Sequence, residues 1–107
     1  MACTKKAETA VTAYMSCIDQ AVRFLIPSST DSSDVVADAA MGICQPKRGD
    51  LVKSYTCIGN SFNEAENLVS GVDQKIRTRT IGKVAALQAE MHQREMMKQA
   101  PKSNVGD

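Results

Sequence analysis

A chain of 107 residues with no Trp, two Tyr and two Phe has the length of one domain, and its interior must be filled by aliphatic and Ala side chains. Thirteen Lys and Arg against twelve Asp and Glu leave a net charge of +1, which excludes the footprint of bulk nucleic-acid binding, where a domain pI above about 9 is usual. No apolar run approaches the ~20 residues that cross a bilayer, and no signal-peptide h-region opens the chain, so it reads as cytosolic or as a mature chain whose signal has been removed.

Helical periodicity begins near Lys5. Val11, Tyr14, Ile18, Ala21, Val22 and Leu25 recur at steps of three and four, which predicts a first helix over 5–26 that Pro27 stops. The polar run SSTDSSD offers several N-caps for a second helix, with Val36, Ala39, Ala40 and Ile43 on one face. QPKRG at 45–49 interrupts the pattern, and Leu51, Val52, Tyr55 and Ile58 mark a short third helix that Gly59 closes. Ser61 and Glu64 then have the spacing of a capping box.

The helix that starts there is followed through Phe62, Ala65, Val69, Val72, Ile76, Val84, Leu87 and Met91 to about Gln99, a length of ~57 Å. Its apolar stripe loses register between Ile76 and Val84. Gly71 and Gly82 weaken it further, so a straight rod and a bend near Thr80–Gly82 are both open. The expected fold is therefore all-α: one domain over 1–99 and a disordered tail over 100–107, where no apolar anchor remains.

Four cysteines stand at 3, 17, 44 and 57 without a C-x-x-C pair, which argues against a zinc ribbon or a thioredoxin-type redox motif. Cys17 lies ten residues before Pro27 and Cys44 eleven after Ser33. In an antiparallel hairpin both then sit ~15–17 Å from the turn, and a Cys17–Cys44 bridge is expected, against the alternative of two buried thiols. A Cys3–Cys17 bridge would need to span ~21 Å along one helix. That leaves Cys3 to pair with Cys57, or to be a lipidated residue and so a membrane anchor. If the third helix turns back along the second, Cys57 is carried away from the N-terminus, and the second bridge then requires a steep crossing or a fold-back of residues 1–6.

The arrangement of Cys17-Ile18, the Ser/Asp-rich turn, VVADAA and Cys44 resembles that of small secreted helical proteins of Gram-negative bacteria, over residues 14–58. VADAAMGICQP is similar to a segment of some all-helical periplasmic immunity proteins. The resemblance implies a periplasmic or secreted location, a disulfide-linked hairpin and no catalytic residues.

Few residues suggest chemistry. His92, the sole histidine, sits in EMHQRE with Glu95 three positions on, and two ligands do not make a metal site. No nucleophile motif or Gly-rich phosphate loop appears, so the sequence points away from an enzyme and names no cofactor.

The basic stripe Lys75, Arg77, Arg79 and Lys83 has no acid between Asp73 and Glu90. It reads as a surface for a protein partner or as a solvated face. The same stripe would serve a cytosolic regulator or nucleic-acid-associated protein, the alternative to the secreted reading. Val84, Leu87 and Met91 are expected to overhang a shorter hairpin and to bind a partner or a second copy of the chain through the C-terminal helix.

Overall fold

The computed structural model describes the backbone of residues 2–105 and the side chains of residues 2–27 and 29–97. It is all-helical among the described residues: α1 (Ala2–Leu25), a 3-10 turn (Ile26–Ser28), α2 (Ser33–Ile43), α3 (Gln45–Ile58) and α4 (Phe62–Val105). The expected tail over 100–107 falls on residues whose side chains are not described, and Gly106 and Asp107 lie outside the described residues altogether.

Local chemistry accounts for each boundary. Pro27 enters the 3-10 turn that ends the first rod. Ser32 is the N-cap of α2, although its hydroxyl is bonded to the Asp34 carboxylate at 2.5 Å and not to a backbone N–H. That bond holds the Asp34 carboxyl below its ordinary range. Gly59 adopts φ 124°, a left-handed conformation that closes α3 and that side-chain-bearing residues rarely take.

The capping box at the start of α4 is complete. The Ser61 N–H donates to Glu64 Oε1 at 2.8 Å and the Glu64 N–H donates to Ser61 Oγ at 3.1 Å. The Ser61 N–H, and then the Ser61 hydroxyl, hold the Glu64 carboxyl below its ordinary range.

One junction differs from the sequence expectation. QPKRG does not reverse the chain. Pro46 sits in the first turn of α3, where its missing N–H has no helical partner to lose. Cys44 ends α2 and begins α3: its N–H donates to the Met41 carbonyl, and its own carbonyl accepts from the Lys47 and Arg48 N–H groups. α2 and α3 therefore follow one another as a single kinked arm of 26 residues, ~39 Å long, laid antiparallel to the 24 residues and ~36 Å of α1.

α4 then returns along the groove between α1 and this arm, parallel to α1. Its 44 residues, ~66 Å at the helical rise, match a longest molecular dimension of 71 Å, so the helix is a rod without a fold-back at Gly82. Tyr14, Ile18, Val22, Val36, Ala40, Leu51, Val52, Ala65, Val69, Ile76 and Val84 make one continuous core between the three rods. Thr80 fills the interval in the α4 stripe between Ile76 and Val84. It is 1% exposed, and its hydroxyl has no hydrogen-bond partner among the described residues.

Candidate interaction surface

Two disulfides set the register of the hairpin. Cys17 is joined to Cys44 with the Cα atoms 6.0 Å apart, and Cys3 to Cys57 with the Cα atoms 5.6 Å apart. The nesting follows from the continuous run of the α2–α3 arm along α1. Fourteen residues separate Cys3 from Cys17 and thirteen separate Cys44 from Cys57, so antiparallel helices bring both pairs level, ~20 Å apart. Neither a steep crossing nor a fold-back of the N-terminus is needed. The Cys3 sulfur is in the bridge, and no described cysteine is free.

Between the bridges a polar cluster ties all three rods together. Tyr14 Oη of α1 donates to Asp73 Oδ1 of α4 at 2.7 Å, and Arg48 Nε of α3 donates to Asp73 Oδ2 at 2.6 Å. Arg48 also bonds both oxygens of Glu66 at 3.2 Å. Burial works against the Arg48 cation, but the bonds and charges of Asp73 and Glu66 outweigh it and raise its pKa. Burial first, and then the hydrogen bond and charge of Asp73, push the Tyr14 phenol well above its ordinary range. The sequence reading missed this cluster. Arg48 lay inside a presumed chain break, and Glu66 and Asp73, seven residues apart on one helical face, were the available signal.

The basic stripe has partners within the chain. Arg77 bonds Asp38 of α2 at 2.7 and 3.3 Å, and this holds the Asp38 carboxyl below its ordinary range. Arg79 and Lys83 both approach Asp19 of α1, at 3.4 and 3.3 Å. The stripe thus clasps the two walls of the groove from either flank of α4. Its four cations were expected to form one contact face. Three of them position α4, and Lys75 is left exposed on its outer side.

Val84 and Leu87 also require a correction. Val84 is fully buried within the single chain, and Leu87 is half-buried and packed against the core, so Val84 has no exposed surface to offer a partner. Support extends to residue 88, where Gln88 Nε2 donates to the Asp31 carbonyl at the hairpin tip. The expectation placed the overhang too early because it measured the hairpin by its first helix and ended the second helix at the QPKRG break. Met91 lines a hollow at that tip with Arg23, Ile26, Pro27 and Leu87 and is 38% exposed.

Beyond the tip the character of α4 changes. Met96 and Met97 are 58% and 70% exposed, and the ion pair closing this stretch, Arg94 with Glu90 at 2.6 Å, is internal to the helix. On the hairpin, Phe24 is 78% exposed, and Val35 and Ile43 of α2 are also turned to solvent. Among the described residues there is no group of three or more His, Cys, Asp and Glu able to hold a metal ion, and no helix is long and apolar enough to cross a membrane. Comparison with protein-family models, with curated proteins and with solved structures finds no match for this chain.

Proposed function

We propose that the chain is a non-enzymatic binding protein of an oxidising compartment, periplasmic or secreted, whose doubly bridged hairpin holds one helix out to a protein partner. The observation that carries this reading is the mismatch between α4 and its support. The groove supports α4 to about Gln88, and the next turns carry the exposed methionines Met96 and Met97. Methionine is flexible and polarisable and suits surfaces that adapt to a partner.

Two bridges in a chain of this size fit an oxidising compartment, where disulfides persist. An inhibitor or immunity-type protein belongs to this class, since blocking a partner requires a rigid presented surface and no chemistry.

Two measurements test the reading. Non-reducing mass spectrometry of chain freshly isolated from its native source is expected to find no free thiol, whereas four free thiols would end the oxidising-compartment assignment. For the surface, a photo-crosslinking residue at exposed position 93 is expected to capture one discrete protein. A chain carrying Met96→Glu and Met97→Glu should lose that partner with its melting temperature unchanged. Undiminished capture by the double variant would remove the overhang from the binding surface.

A further inference from the structure

The two bridges differ in surroundings. Cys44 is fully buried and its partner Cys17 is half-buried against the core, whereas Cys57 is exposed and Cys3 half-buried at the open end of the hairpin. The parts of α1 next to them differ as well. From Tyr14 onward the helix is anchored by Tyr14, Ile18, Val22 and Ile26 and by the Tyr14–Asp73 bond. Over residues 2–13 the buried side chains are Ala7 and Ala10, with Val11 half-buried against the core, and a methyl group buries little apolar surface. A helical segment of about a dozen residues is marginal in water by itself.

From these differences we propose that the Cys3–Cys57 bridge is a redox-sensitive latch: a dithiol opens it and releases residues 2–13 of α1 from α3, while the Cys17–Cys44 bridge and the rest of the fold stay closed. Access decides which bridge reacts, because a thiolate must reach a sulfur of the disulfide. The thiolate attacks Cys57 Sγ, the bond to Cys3 breaks, and Cys3 Sγ leaves with the electron pair and takes a proton from water. The second thiolate of the reductant then attacks its own sulfur in the mixed disulfide. That step closes the reductant's disulfide and expels the Cys57 thiolate, which takes the second proton. Two electrons and two protons pass from dithiol to bridge.

Opening stops at Tyr14, whose ring and hydroxyl are held on both neighbouring rods. The strip it uncovers is the α1-facing side of α3, where Asp50 and Ser54 lie beside Ala10 and Ala13 and Ser54 is buried in the closed state. This regulation is independent of the surface beyond Gln88.

Dithiothreitol added stepwise to the native chain, followed by iodoacetamide and peptide mapping, tests the order of opening. Cys3 and Cys57 are expected to be alkylated about tenfold faster than Cys17 and Cys44 or better. At the stage where only the outer pair is open, hydrogen exchange should rise over residues 2–13 and stay unchanged in α2 and in α4 from Ala65 to Val84. The variant Cys3→Ser with Cys57→Ser should show the same exchange pattern without reductant. Labelling of Cys17 and Cys44 first or together with the outer pair would overturn the latch. So would unaltered exchange over residues 2–13, or loss of protection throughout the chain, once the outer pair is open.

Discussion

α4 has two stretches with one backbone conformation and different reasons to hold it. From Ala65 to Leu87 it lies in a groove, with Ala65, Val69, Ile76, Thr80 and Val84 facing the core and charged pairs reaching to both walls. From Met91 to Met97 every residue is exposed, and Arg94 pairs with Glu90 one turn back in the same helix, a contact worth a few tenths of a kcal/mol. Helicity in the first stretch comes from burial of an apolar face, and in the second from propensity carried on by an already nucleated helix. The difference shows why a long helical pattern in sequence says little about which part of it is held in place.

Perturbing the supported stretch should unfold the domain, whereas perturbing the exposed one should leave the domain intact. The largest effect is expected from Cys17→Ser with Cys44→Ser. Opening a loop of 27 residues lowers stability by roughly 3–4 kcal/mol on the chain-entropy estimate, measurable by urea denaturation. Arg48→Met should follow at about 2–3 kcal/mol, because Asp73 and Glu66 are left as uncompensated, partly buried carboxylates. A loss below about 0.5 kcal/mol would show that the cluster is a solvated surface pair.

Tyr14→Phe removes a hydrogen bond to a carboxylate and should cost about 1.5 kcal/mol. It should also change the alkaline limb of the stability profile. In the fold the Tyr14 phenol titrates above its unfolded value near 10. Its contribution is therefore fully present below about pH 10 and is lost as pH climbs past that value toward the raised folded pKa. Chemical denaturation at pH 8 and at pH 10.5–11 should show a steeper decline for the wild type than for the variant.

Thr80→Val keeps the shape and removes a buried hydroxyl without a partner, so it should stabilise the chain by about 1 kcal/mol. A destabilised variant would mean that the hydroxyl is satisfied in solution. The smallest effect belongs to the exposed stretch, where Met96→Glu with Met97→Glu should shift stability by less than about 0.5 kcal/mol.

Much of this architecture was legible one element at a time. Pro27, the Ser61–Glu64 pair and Gly59 announce three boundaries, because caps and breakers act within a few residues of themselves. The Cys17–Cys44 bridge was legible from equal distances on either side of a turn. Pro46 was misleading, because the same residue ends a helix or opens the next one, and only the direction of the following turn tells them apart. That ambiguity hid the reason why Cys3 meets Cys57.

The charged residues divide in the same way. Sequence shows that Lys75, Arg77, Arg79 and Lys83 share a helix, but not that Asp19 and Asp38 wait on opposite walls of a groove. Local signals alone determined an all-helical chain, its caps and its turn, since each depends on neighbours in sequence, and the turn together with the helical rise set Cys17 level with Cys44. Which face of α4 is covered, how far the support runs and which cations are engaged were decided by the tertiary structure, because those depend on residues some 25 to 60 positions apart that meet only when the three rods lie side by side.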